Sequence, residues 1–204
     1  MIDLIRKDIS VNTKFILLSF LLSVVAVIVL ELSNFGYASM EFYICLSGCF
    51  TYIVGRSCYI DEKGSSKMWI RTLPIKSKSI VDAKYILMII SIIEGVIIFY
   101  GIKYIMSGFS IRSFSDNVYM DLIILALHLI YCGLFLHLFY KYNYSVAQYA
   151  IYFMILILIF SKMVDNKKYI DLSIFSFDKV SLALIVFGAI VLIISWIFTR
   201  NIKE

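Results

Sequence analysis

Few residues in this chain have the type and spacing to do chemistry. His128 and His137 are nine positions apart, which on a helix sets them about 180° apart around the axis, so they cannot share a metal ion. Their expected roles are packing or hydrogen bonding, and no metal site is expected. Cys45, Cys49, Cys58 and Cys132 contain no C-x-x-C pair. Cys45 and Cys49 share a helix face, where a thiol serves as a small packing group, so neither a disulfide nor a redox role is expected. Neither G-x-S-x-G nor H-E-x-x-H occurs, which leaves an intramembrane hydrolase without support. No G-x-x-x-x-G-K-[ST] phosphate loop occurs either, so the chain does not cradle ATP by that device and is not expected to be an enzyme.

Glu94 is the exception. It falls near the middle of the apolar stretch between Lys84 and Lys103, where a charge is costly and seldom lacks a partner. Two roles are open. It lines a pathway and contacts a cationic or amphipathic substrate, or it is a protonated or hydrogen-bonded carboxyl at an interhelical or subunit interface. Ser91 and Gly95, four apart, permit close approach there.

The elements that hold these residues are dictated by composition. Of 204 residues 62% are hydrophobic and 16% charged, and mean hydropathy is +0.92, which excludes an ordinary soluble domain. A helix rises about 1.5 Å per residue, so roughly 20 apolar residues cross a ~30 Å hydrocarbon core. Six stretches meet or approach that length, at about 15–32, 41–60, 85–103, 121–140, 142–161 and 180–199. Little more than Lys141, Tyr142 and Asn143 separates the fourth and fifth, and a tight turn there makes two antiparallel helices instead of one about twice the length a membrane needs. The first stretch is too long for a cleaved signal peptide, and no small-x-small site precedes a soluble domain. The expectation is an all-α integral membrane protein with a single transmembrane domain over 1–204.

Basic residues set the orientation. With the N-terminus inside, 13 of the 19 Lys and Arg are cytoplasmic. The 33–39 loop has none, whereas 56–84 has seven. Both termini are therefore expected in the cytoplasm. Lys162, Lys167, Lys168 and Lys179 in the outer loop 162–179 run against the rule. The net charge of +5 belongs to this orientation and not to a nucleic-acid surface, because the basic residues flank spans held in lipid.

Two cytoplasmic features carry information. Within 1–13, Ile2, Ile5 and Ile9 share one helical face, while Asp3, Arg6, Lys7, Asp8 and Asn12 occupy the rest. This is either an amphipathic helix lying in the headgroup plane before the chain turns into the bilayer, or a charged lead-in. In the loop 61–84, Asp61-Glu62-Lys63-Gly64 reads as a charged turn. A short helix over Lys67–Arg71 follows, ended by Pro74. Ser79-Ile80-Val81-Asp82 reads as a capping box that starts the next helix. Trp69, Ile70 and Leu73 give the short helix an apolar face, which is either a docking knob for a soluble partner or an interfacial anchor.

The run Trp69, Leu73-Pro74-Ile75-Lys76-Ser77-Lys78, Ile80-Val81 and Lys84-Tyr85 resembles the Leu-Pro loop of type-2 ATP-binding-cassette (ABC) transporter permeases. More narrowly it is similar to small bacterial peptide exporters of the phenol-soluble modulin exporter kind. The opening Leu4-Ile5-Arg6-Lys7-Asp8 resembles the start of those permeases, and the organisation is similar over the whole chain. The resemblance implies a six-helix type-2 exporter fold with an N-terminal amphipathic helix, and a coupling helix seated in the groove of a separate ATPase subunit. Short re-entrant helices in the last outer loop, at Tyr169–Phe177, are also implied.

The coupling residues so implied are Trp69, Ile70, Arg71, Leu73, Pro74, Lys76 and Lys78. ATP and Mg would be bound by the partner ATPase, and a second permease subunit, identical or a paralogue, would complete the pathway. Export of amphipathic or antimicrobial peptides, or other hydrophobic compounds, from a bacterial cell membrane is the implied function. The rival is a non-transporting membrane immunity or interaction protein, which predicts no ATPase partner and no ATP-dependent flux.

Overall fold

Helices form in this chain where long apolar runs contain no proline, and they end at charges or turn residues. The computed structural model describes residues 2–32, 38–63, 77–106, 118–150, 152–153, 155–156, 159 and 177–202. In order these form α1 (Ile2–Leu32), α2 (Ala38–Phe50), a π-helical turn (Thr51–Gly55), α3 (Arg56–Lys63), α4 (Ser77–Met106), α5 (Val118–Lys141), α6 (Tyr144–Ala147) with a 3-10 turn (Gln148–Ala150), and α7 (Phe177–Arg200). No strand occurs among the described residues. Four of their helices are long and apolar enough to cross a membrane, over Ile2–Leu30, Ser77–Met106, Val118–Lys141 and Val180–Arg200.

The chain from 38 to 63 is one helical run, because Phe50 and Arg56 on either side of the π-turn both keep right-handed helical angles. A π-turn admits one extra residue and widens the helix locally, a feature that recurs at functional sites. Between α5 and α6 the helix breaks at Tyr142 and Asn143. Asn143 is extended (φ −165°), and its side-chain oxygen accepts the Val146 N–H at 2.7 Å, the N-cap bond that a new helix start requires.

α1 differs from the expectation of a separate amphipathic helix over 1–13. It runs without interruption from Ile2 to Leu32, and no glycine or proline occurs in that stretch to break it. Its polar face also points inward. Asp8 and Asn12 are buried, whereas Ile2 is 76% exposed. In lipid this inversion is favourable, since apolar side chains face hydrocarbon and polar groups find partners inside.

Lipid removes most of the hydrophobic drive between helices, so packing rests on close backbone approach and polar pairs. Gly95 on α4 lies against the α2 backbone, where an added Cβ would meet Leu46 Cα at 3.1 Å. Gly188 on α7 lies against α5, where an added Cβ would sit 2.8 Å from the Ala126 carbonyl oxygen. Between α2 and α4, Phe42, Leu46, Leu87 and Met88 are buried.

Ion pairs clamp the 38–63 run to α4 at both ends. Glu41, fully buried, lies 2.9 Å from Lys103 Nζ, and Asp61 lies 2.6 Å from Lys84 Nζ. That pairing of first residue with last makes the two helices antiparallel. Beside the Glu41 pair, the Tyr100 hydroxyl donates to Asp121 at 2.9 Å, tying α4 to α5.

Candidate functional site

The segment 64–76 carries most of the residues expected to meet a partner. Trp69, Ile70, Arg71, Leu73, Pro74 and Lys76 lie outside the described residues, as does 169–176 of the outer loop. Lys78 is the second residue of α4 and is exposed. What the structure does define is how the two ends of this segment are held.

Asp61 precedes the segment and Lys84 follows it, and both enter one ionic cluster with the first turns of α1. Lys84 Nζ lies 2.6 Å from Asp61 Oδ2 and 2.8 Å from Asp8 Oδ2, and it also donates to Ser57 Oγ. Lys7 Nζ lies 3.2 Å from Asp8 Oδ1 and 3.3 Å from Asp61 Oδ1. Two lysines balance two aspartates, and the Lys84 side chain is only 2% exposed. Burying charges is tolerable only with such mutual pairing, and removing one member leaves an uncompensated charge. Asn12 Nδ2 donates to the Asp8 carbonyl at 2.9 Å, fixing the helix turn that carries the carboxylate.

Glu62 makes a second tie. Its carboxylate accepts the backbone N–H of Tyr144, in the first turn of α6, where a helix presents free N–H groups and partial positive charge. The Tyr59 and Tyr144 rings are 5.4 Å apart in an edge arrangement. Asp61, Glu62 and Lys63 therefore close the helix α3 and do not form the charged turn that their sequence suggested. Their side chains find intramolecular partners, so the helix persists through them. The expected capping box is also absent: α4 begins at Ser77, and Asp82 is engaged elsewhere.

Asp82 accepts the Trp196 Nε1–H at 2.8 Å and lies 3.4 Å from Arg200 Nη2. One turn further along α4, the Tyr85 hydroxyl bonds Ser195 Oγ at 2.8 Å and Thr199 Oγ1 at 3.2 Å. His137 Nδ1 bonds Thr199 Oγ1 at 3.1 Å. The start of α4 is thus tied to α1, α3 and the end of α7 at once. Sequence reasoning took Lys84 as a flanking charge and Asp82 as part of a capping box, and missed these pairings because the partners lie far apart in the chain.

Within the bundle, Glu94 sits at the edge of the buried face of α4, half-buried beside the exposed Ile93 and Ile97. It makes no hydrogen bond or ion pair among the described residues, and Cys49 on α2 is near enough to interact with it electrostatically. Ser91 is fully buried and donates to the Met88 carbonyl at 2.7 Å. His128 is fully buried among Tyr43, Phe50 and Tyr131, with ring centroids 5.7–6.0 Å away. Neither of its ring nitrogens has a hydrogen-bond partner among the described residues, so its role is packing. No group of three His, Cys, Asp or Glu among them can hold a metal ion, and all four cysteines are buried and unbridged.

The π-turn opens a cavity of about 460 Å³ against α5 and α6. Phe50, Thr51, Tyr131, Phe135, Tyr144 and Gln148 line it. Its walls combine four aromatic rings with the hydroxyls of Thr51, Tyr131 and Tyr144 and the Gln148 amide, a lining suited to an apolar group carrying a polar end.

Over residues 3–204 the chain matches the model of the ABC-2 family transporter protein family. The chain belongs to the ABC-2 transporter family. This ABC-2 transporter protein is accordingly a multi-pass membrane protein of the permease kind, a membrane transport component. No curated protein and no solved structure matches this ABC-2 protein significantly.

Proposed function

We propose that this ABC-2 transporter protein is the permease subunit of an ATP-driven exporter in a bacterial cell membrane, with both termini in the cytoplasm. The six spans of this reading are α1, the continuous 38–63 helix, α4, α5, the 142–161 stretch and α7. Two copies, or one copy and a paralogue, form the pathway. A separate ATPase subunit binds ATP and Mg and docks on 61–84 through Trp69, Ile70, Arg71, Leu73, Pro74, Lys76 and Lys78. The cargo class is amphipathic or antimicrobial peptides or other hydrophobic compounds.

The observation that carries this reading, beside family membership, is the Lys7–Asp8–Asp61–Lys84 cluster. A flexible surface loop would absorb a push from a partner. A loop whose two ends are pinned by buried ion pairs transmits the push to α1, the 38–63 helix and α4 together, and so can switch the bundle between two packings. Glu94, which makes no hydrogen bond or ion pair among the described residues, takes its partner from cargo or from a second subunit.

The test is reconstitution with the candidate ATPase. Trp69→Asp combined with Leu73→Asp is expected to abolish copurification and peptide-stimulated ATP hydrolysis while the permease still inserts. Full ATPase coupling in that variant would sink the proposal. Absence of any ATP-dependent flux from the wild-type pair would favour the immunity or interaction role instead.

A further inference from the structure

A groove of about 370 Å³ runs between the N-terminal part of α4 and the C-terminal part of α7. Tyr85, Ile86 and Ile89 form one wall, and Leu192, Ile193 and Trp196 the other. Ile89 and Ile193 are 46% and 50% exposed, so the groove opens sideways from two membrane-spanning helices, towards hydrocarbon and not into the bundle. The Tyr85 hydroxyl is already satisfied by Ser195 and Thr199, which leaves the walls apolar in effect.

The mouth of the groove is polar and cationic. Asp82 stands there with its carboxylate held by Trp196 Nε1 at 2.8 Å and Arg200 Nη2 at 3.4 Å. Arg200 stacks on the Trp196 ring at 5.3 Å, which orients the guanidinium, and its side chain remains 41% exposed. Asp82 engages only one edge of the guanidinium at that long contact. Lys78 lies one helical turn before Asp82 on the same face of α4 and is exposed. Among the described residues, two cations against one carboxylate leave a net positive mouth above an apolar slot.

We propose that this groove binds one acyl chain of an anionic glycerophospholipid, with Arg200 holding the phosphate and Lys78 favouring the negative headgroup. A guanidinium presents paired N–H donors that match phosphate oxygens. Trp, Arg and Lys mark the level at which headgroups meet hydrocarbon, and basic sites between spanning helices at that level select acidic lipids. The lateral opening decides for lipid over a soluble ligand, since only a molecule already in the bilayer reaches the slot without crossing water. Bound there, the lipid would brace α4 against α7 next to the ionic cluster that holds the 64–76 segment.

The test uses the full chain in detergent, delipidated and then exposed to phosphatidylglycerol or phosphatidylcholine of identical acyl chains, with retention read by native mass spectrometry. Wild type is expected to keep one phosphatidylglycerol per chain and to retain phosphatidylcholine about tenfold less, because the choline cation offsets the phosphate charge that Lys78 favours. Arg200→Ala, which removes the phosphate contact common to both lipids, should lower retention of both, whereas Lys78→Ala should erase the discrimination between them. Ile89→Trp, which fills the slot, should lower retention of both lipids without altering thermal stability. Equal retention of both lipids by wild type overturns the proposal. So does unchanged phosphatidylglycerol binding in Ile89→Trp. Efficient disulfide formation between chains carrying Ile89→Cys and Ile193→Cys would assign the groove to a second copy and overturn it as well.

Discussion

Lys84 and Asp8 stand 76 positions apart in the chain, yet their charged atoms are 2.8 Å apart inside the protein. The contact joins the first turns of α1 to the start of α4, and Asp61 joins it from the end of α3. Removing the lysine leaves the buried Asp8 and half-buried Asp61 carboxylates to share Lys7, whose side chain is 41% exposed. Lys84→Met is expected to destabilise the folded chain by about 3–5 kcal/mol. Adding Asp8→Leu restores charge balance and should recover much of that loss, because matched apolar replacements of buried pairs are often neutral. Thermal unfolding in detergent measures both. A double variant no more stable than the single one would show that pairing is not what Lys84 supplies.

Packing of α7 on α5 makes a sharper steric prediction. An added Cβ at Gly188 would lie 2.8 Å from the Ala126 oxygen, whereas one at Gly101 would meet nothing within 4 Å. Gly188→Leu should cost at least about 1–3 kcal/mol through overpacking, and Gly101→Ala should be close to neutral or slightly stabilising. The difference in unfolding midpoint between the two variants is the measurement.

Glu94→Gln keeps the shape and removes the charge. If Glu94 meets cargo, export of a fluorescent amphipathic peptide should stop while copurification with the ATPase persists. Unchanged export takes Glu94 out of the mechanism, and loss of copurification of two differently tagged permease copies assigns it to a subunit interface instead.

Orientation is open to cysteine labelling, and the protein is suited to it because Cys45, Cys49, Cys58 and Cys132 are all buried. Wild type should resist a membrane-impermeant maleimide. With the N-terminus inside, Lys78→Cys should label only from the cytoplasmic face and Arg112→Cys only from outside. The reverse pattern would invert the topology.

Much of this protein is legible along one dimension. Hydropathy marks the four membrane-length helices, and Asn143 with the polar residues around it marks the break after α5. These follow from sequence because backbone hydrogen bonds in lipid must be satisfied within each segment, so a long apolar run has little choice but to be a helix. The charge bias gives an orientation, and the Leu-Pro loop resembles that of a permease.

What the sequence left undetermined is which flanking charge meets which. Glu41, Lys103, Asp61 and Lys84 read alike as borders of spans, and Asp61-Glu62-Lys63 read as a turn. Their pairing depends on how far α4 slides along the 38–63 helix. That register is fixed where Gly95 rests on the backbone of Leu46, a contact between segments far apart in the chain. Once it is set, Glu41 faces Lys103 and Asp61 faces Lys84, and α1 turns its aspartate inward to complete the cluster. Charge separation across hydrocarbon is too costly for the alternatives, but only the folded bundle presents them as alternatives.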